Sequence, residues 1–387
     1  MSILSRYFLF TLAVAVLAAL FCCNVAVAQQ AGVLLGFGQL TPDGGSGYQT
    51  MWIVFTGEQA KVAVIVPNVI VPRATGFWRV GRTLVCEFDE SISRDSNREV
   101  LWFSPIEKTP APKVAPPCKN HLAGDEADGD NPSEPESSDN VVLCGKETAG
   151  LLFVSPAIIS QQFDSWDGCD ARGGRDQSRD EARRFEDPTP LSMSEFFGER
   201  ASAAYSKAVD QGFAINSKEV NCPTPDSDEY DLKSWQVVHV RGAWHAAAAM
   251  DSIMGECAFP YPTELVLPKS VSGEISKAAL WPALAKAIPH LSDFYFSPLG
   301  DYALVLVSPK TFEYHLYAYS AKNGALDKRL AEIPWENTNS HPIVMAQWSA
   351  GKYVPQWTAV LQKIKDHPLP DPVLPAPTYQ PPPPPSE

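Results

Sequence analysis

Basic residues are in deficit. The chain carries 31 Lys and Arg against 45 Asp and Glu, a formal net charge of −14 over 387 residues, which excludes a dedicated electrostatic grip on nucleic acid or anionic lipid. Several catalytic signatures are missing as well. No His-Glu-x-x-His exists, Gly36-Phe37-Gly38 leads to no Lys-Ser/Thr of a phosphate loop, and Gln347-Trp348-Ser349-Ala350-Gly351 lacks the first glycine of a nucleophile elbow. No Asn opens an acceptable glycosylation sequon, since Asn131 is followed by Pro132. Charged residues make up only 20% and hydrophobic ones 45%, so the chain is globular material with a sizeable core, enough for one large domain or two modest ones.

One long hydrophobic run is present. Arg6 precedes an apolar stretch from Tyr7 to Phe21, and Ala26-Val27-Ala28 stands before Gln29. This pattern predicts a secretory signal peptide over residues 1–28, cleaved ahead of Gln29, because the run is shorter than the roughly 20 residues a spanning helix needs. Phe21 before Cys22 argues against lipidation. The expected address is the periplasm or the extracellular space, with a bacterial source favoured and no membrane attachment after cleavage. Six of the eight cysteines remain beyond the leader: Cys86, Cys118, Cys144, Cys169, Cys222 and Cys257. An even number in an exported chain favours three disulfides, and no two of the six lie close enough for a structural zinc site. Pairing of sequence neighbours, Cys86 with Cys118, Cys144 with Cys169 and Cys222 with Cys257, is the expectation. No metal or cofactor is expected.

Proline and charge divide the chain. Ten of 35 prolines fall within 366–387, which reads as a proline-rich disordered tail with polyproline II as its default state. Segments 104–140 and 161–190 read as polar excursions from a β-rich domain over 29–365. The acidic run Asp125–Asp130 does not match a calcium loop, because Ala127 and Gly129 stand where oxygen ligands belong. The arginines of 161–190 are outnumbered by acids, so self-neutralising pairs such as Asp180 with Arg184 are expected there.

Apolar periodicity supplies about three helices. Ser192-x-x-Glu195 is a capping box opening a helix that runs to about Gly212; shorter patterns cover 278–288 and 357–364. The remainder alternates as strands in antiparallel pairs: 48–56 with 60–66 across Gly57-Glu58, then 76–88, 141–144 with 150–155, 235–241 with 243–250 across Gly242, and a series from 294 to 348. The apolar segment Gly32–Gly38 cannot remain an open edge. It is expected to pair with a late strand near 343–348, the rival being a local hairpin with 48–56.

Phe296-Ser297-Pro298-Leu299-Gly300-Asp301-Tyr302-Ala303-Leu304, followed by Leu316-Tyr317-Ala318-Tyr319 and Asn323-Gly324-Ala325-Leu326, resembles a blade of the TolB and WD40-like β-propellers. Such blades lead from a Ser-Pro-Asp-Gly-like turn into an apolar strand; Leu299 stands where Asp is usual. The resemblance covers about residues 294–332 and implies a mainly β, propeller-like fold of up to five blades. A β-sandwich or α+β arrangement of antiparallel hairpins is the alternative.

His239 and His245 form the one constellation with possible chemistry, because a hairpin at Gly242 brings them onto adjacent strands. The bland alternative is a pair of half-buried imidazoles beside Arg241 and Trp244. The reading that results is an exported, disulfide-stabilised binding or scaffold protein that meets a protein or glycan partner and is not catalytic. The alternative is an extracytoplasmic hydrolase or lyase acting on peptide or carbohydrate.

Overall fold

The computed structural model describes residues 30–40, 46–89, 94–108, 146–166, 177–185, 187, 189–216, 231–249, 261–274, 276–311, 313–322, 324–334 and 343–369. They form a mainly β structure of antiparallel hairpins in four sheets. The first sheet holds β1 (Ala31–Leu40), β2 (Ser46–Thr56), β3 (Gln59–Pro67) and, from far along the chain, β17 (Met345–Ala350), in the order β17-β1-β2-β3. A six-stranded sheet comes next: β4 (Val69–Arg73), β5 (Gly76–Asp89), β6 (Arg94–Pro105), β7 (Lys146–Val154), β8 (Ile158–Trp166) and β9 (Gln177–Arg184). The third sheet is β10 (Trp235–His239), β11 (Trp244–Ala248) and β12 (Tyr261–Val266). The fourth is β13 (Leu291–Phe296), β14 (Tyr302–Lys310), β15 (Glu313–Lys322) and β16 (Ala325–Ile333).

The expected hairpin at Gly57-Glu58 joins β2 to β3, with Thr56 opposite Gln59 and Gly57 at φ 59°. The expectation for the first strand also holds, and in both directions. Ala31 to Gly36 pair with Ala350 to Met345, while the other edge of β1 pairs with β2 along its whole length. The strand is therefore interior to its sheet; it is apolar on both faces rather than alternating because core packs on each face as well, which leaves Val33, Leu34 and Leu35 fully buried. One expectation needs correcting: not every pair is antiparallel. β6 and β7 touch in parallel, over Asn97–Lys146 and Arg98–Glu147 only, because they are joined through the long 109–145 segment rather than a tight turn.

Both faces of the first sheet are core. Val33, Leu35, Ile53 and Phe55 join a cluster with Trp235, Trp244, Tyr295 and Leu304. Leu34, Trp52 and Val54 belong to another, with Val69, Ile70, Val71, Leu361 and Ile364. A third cluster packs Phe294, Phe296 and Val305 against Trp281 and Leu284.

Five α-helices occur among the described residues: α1 (Met193–Phe197), α2 (Arg200–Asn216), α3 (Lys269–Ser272), α4 (Trp281–Ala287) and α5 (Tyr353–Asp366). The capping box is as read, with Ser192 and Glu195 bonding each other's backbone. The single helix expected from it is two. Gly198, at φ 72°, caps α1 through its N–H to the Ser194 carbonyl, and the chain restarts at Arg200. The other addition, α3, is a single turn too short to carry a periodic signal. α5 lies over the first sheet, where Trp52 Nε1 donates to Thr358 Oγ1 at 2.8 Å.

Much of the polar stretch 161–190 is built into a sheet rather than looping out, as β8 and β9 pair from Ile158–Arg184 to Ser165–Gln177. Its charged residues from Arg179 to Arg184 are strand positions: Glu181 accepts from Gln161 Nε2 at 2.7 Å, and Asp180 accepts from Gln236 Nε2 at 2.6 Å instead of standing one helical turn from Arg184. Of the six cysteines, only the backbone of Cys86, in β5, is described, so the disulfide expectation lies outside the described residues, as does the leader. No helix among the described residues is long and apolar enough to cross a membrane. α5 includes Asp366, the first residue of the expected tail, and residues 370–387 of that tail lie outside the described residues.

Gly32 tests the inserted strand. A Cβ there would meet three atoms of the Trp52 ring at 2.1–2.8 Å, and Trp52 is held in place by Thr358. Gly32→Val is expected to lower the urea unfolding midpoint, with a loss of at least about 1–3 kcal/mol from overpacking; an unchanged midpoint would mean that β1 is not confined between β17 and β2.

Candidate functional site

His239 ends β10, and the turn after it takes Arg241 at φ 54° and Gly242 at φ 80°. Gly242 is obligatory on two counts, since a Cβ would also meet the Phe294 ring at 2.2 Å. The tight turn brings the Gly242 N–H to Asp293 Oδ1 at 2.9 Å, which also accepts from the Phe294 N–H at 2.8 Å. Asp293 sits where the β13–β14 register shifts, an irregularity of the kind that re-aims a side chain. Its other oxygen, Oδ2, meets His239 Nδ1 at 2.6 Å.

The second imidazole nitrogen is held too. Glu274, just beyond α3, places Oε1 3.2 Å from His239 Nε2, and its Oε2 accepts from Trp244 Nε1 at 3.1 Å. The ring stacks on Tyr295 at 4.1 Å and meets the edge of Trp244 at 4.6 Å. The side chains of His239, Glu274 and Asp293 are only 3%, 2% and 9% exposed. Burial pushes the imidazole down, but Asp293 and Glu274 more than offset this and raise its pKa to about 10. Facing a carboxylate oxygen at each nitrogen, the ring donates from both and is an imidazolium at neutral pH. Burial pushes the Glu274 carboxyl up, against the lowering pull of His239.

His245 does not share this arrangement. The register sets His239 opposite Trp244 and Val238 opposite His245, so the two histidines lie on opposite faces of the hairpin. His245 Nδ1 donates to the Thr263 carbonyl at 2.9 Å, and burial lowers its pKa. The sequence therefore pointed to the right hairpin but the wrong partner. Asp293 and Glu274, 54 and 35 residues away, carried no spacing signal.

The His239 clamp forms part of the wall of a cleft of about 500 Å³. Leu151 and Leu152 come from β7, Gln236 to His239 from β10, Ser292, Asp293 and Tyr295 from β13, and Ile343 and Val344 from the segment leading into β17. Val344 is fixed between two sheets, donating to the Gly36 carbonyl and accepting from the Val154 N–H. Chemically the cleft mixes apolar and aromatic residues, Leu151, Leu152, Val344, Trp244 and Tyr295 among them, with polar ones at Gln162, Asp180, Gln236 and Ser292. An imidazole with both nitrogens committed to carboxylates has no lone pair for a nucleophile or a metal. Among the described residues no group of His, Cys, Asp and Glu has the geometry to hold a metal ion.

Comparison with protein families, with characterised proteins and with solved structures finds no match. The functional reading rests on the geometry alone.

Removing the imidazolium leaves two buried carboxylates facing each other. His239→Leu is expected to cost on the order of 3–5 kcal/mol, the usual penalty for breaking a buried pair. Because the folded pKa is raised from 6.5 to about 10, the stability His239 confers is full below pH 6.5 and is lost as pH rises through about 10. The gap between the melting temperatures of the wild type and His239→Gln should therefore narrow steadily from pH 6 to pH 10. A gap independent of pH would show that the ring is neutral.

Proposed function

We propose that this chain is an exported, disulfide-stabilised binding or scaffold protein, without catalytic activity, that receives a protein or glycan partner at the cleft beside His239. The observation that carries this reading is that the cleft is concave and lined by apolar, aromatic and polar residues together, while its one imidazole is consumed at both nitrogens. Catalytic use would need a free nitrogen within reach of a reacting group.

The architecture we propose for this site is a ring of five blades: β17-β1-β2-β3, β4–β6, β7–β9, β10–β12 and β13–β16. Three observations support it. Successive units are successive in sequence and antiparallel within themselves. The cleft draws residues from β7, β10 and β13 and from the lead-in to β17, together with Gln162, Asp180, Trp244, Leu306 and Tyr314 of β8, β9, β11, β14 and β15, so four of the five proposed units converge on it. The third is the pairing of the earliest strand with the latest, by which propellers close. The turn from β13 to β14 fits the blade resemblance, with Ser297 Oγ accepting from the Asp301 and Tyr302 N–H groups and Gly300 at φ 72°. The two-residue parallel contact of β6 with β7 is then a brush between blades rather than sheet continuity.

Calorimetric titration with panels of peptides and oligosaccharides tests the reading, using the wild type and Leu152→Trp, which fills the cleft. Binding without turnover that is lost in the variant is the expected result; cleavage products in the mixture would replace it with the hydrolase or lyase. Mass spectrometry of the exported protein should find Gln29 at the N-terminus and a non-reducing peptide map should find three disulfides; an intact leader with six free thiols would remove the export proposal.

A further inference from the structure

α5 ends at Asp366, and His367, Pro368 and Leu369 then run onto the sheet of β4, β5 and β6. There the buried guanidinium of Arg79 donates to the Leu369 carbonyl at 2.9 Å. On β5, Phe77, Arg79 and Gly81 share one face, and Gly81 is opposite Trp102 of β6. The Arg79 guanidinium lies 5.1 Å from the Trp102 ring centroid, and Phe77 meets Trp357 of α5 edge-on at 5.7 Å. The described chain thus leaves α5 among aromatic rings and one fixed cation.

Trp102 is 1% exposed, yet its Nε1–H has no acceptor among the described residues. An indole N–H is a donor only, so this face has a fixed donor with nothing to give to.

The C-terminal residues are complementary to this face. Residues 370–387 contain nine prolines, and each proline contributes a carbonyl acceptor but no amide donor. Such a segment is preset to polyproline II, and aromatic-lined surfaces are what bind it. Asp371, two residues past the anchored carbonyl, is the acid of that segment nearest in sequence to the Arg79 contact. At about 3.1 Å per residue, the eight residues 370–377 reach ~25 Å, ample for the span from Phe77 to Trp102. We infer that Pro370–Pro377 docks on the Phe77–Arg79–Trp102 face of its own chain, with one of its carbonyls accepting the Trp102 N–H and Asp371 beside Arg79. The chain's own tail is the occupant because the Leu369 carbonyl before it is already fixed there, so the remaining residues bind at the high effective concentration of a tethered ligand. The inference is independent of the cleft.

Chymotrypsin cleavage after Tyr379 reads the docking, since the protease must take up several residues on each side of the cut. The full chain should be cut there at least tenfold more slowly than a synthetic 366–387 peptide. Asp371→Arg, which replaces the charge set beside Arg79 by one of the same sign as the guanidinium, should restore most of the peptide's rate. Trp102→Phe, which keeps a ring but removes the N–H, should weaken protection several-fold with the remaining domain still folded by circular dichroism. Cleavage of the wild type at the peptide's rate, or protection indifferent to Asp371→Arg, would overturn the inference. Protection that rises with protein concentration would also overturn it, by assigning the tail to a second copy.

Discussion

Two-sided burial is the constraint on which the rest of this structure depends. A sheet with one wet face can be built from alternating residues, but Met51 to Phe55 are all buried, as are Val33 to Leu35. Each of these strands must find a neighbouring sheet on both sides. The first sheet is covered on both faces, and β1 is interior in the hydrogen-bonding direction as well, between β17 and β2. Glycines 32 and 36 are the local signature of this crowding, the first under the Trp52 ring and the second against Val69.

The His239 clamp is what such packing does with a charge it cannot expel. Three segments distant in sequence, the β10–β11 hairpin, the stretch after α3 and the bulged start of β13, each contribute one ionisable group and leave few hydrogen-bonding positions on them unused. A buried ion pair of this kind adds little net stability compared with an apolar replacement, but it penalises any arrangement in which one partner is missing. Its role fits registration: it fixes how the third and fourth sheets meet at the cleft, and so fixes the shape of the cleft wall at Trp244 and Tyr295.

How much of this was legible in the sequence depends on the range of the forces involved. The hairpin at Gly57-Glu58, the turn at Gly242 and the Ser192–Glu195 cap are local chemistry, and they stand as read. The pairing of β1 with a late strand was legible for a different reason: an apolar run without alternation must be covered on both edges and both faces, wherever the partners lie. The break at Gly198 was not, because the apolar period continues across it. Nor was β9, whose charged residues look like a solvated surface until Gln161 and Gln236 supply partners for Glu181 and Asp180 from other strands. Asp293 and Glu274 were invisible among 45 acids, since what selects them is a register shift and the end of a single helical turn. His245 was a reasonable candidate by proximity, and only the strand register removes it from the cluster.

The position of β17 also sets a schedule. β1 is the first described strand to be synthesised, but one edge of it, over Ala31–Gly36, waits for Met345–Ala350. Closing so long a loop costs entropy before any contact repays it, so a fold dominated by such pairings is expected to assemble slowly. Until β17 arrives, Val33, Leu34 and Leu35 present an open apolar edge that invites pairing with other chains. Residues 31–36 thus stay uncovered along one edge until 345–350 have been made, and a holding factor that covers them during that interval would serve the nascent chain better than one that recognises any later strand.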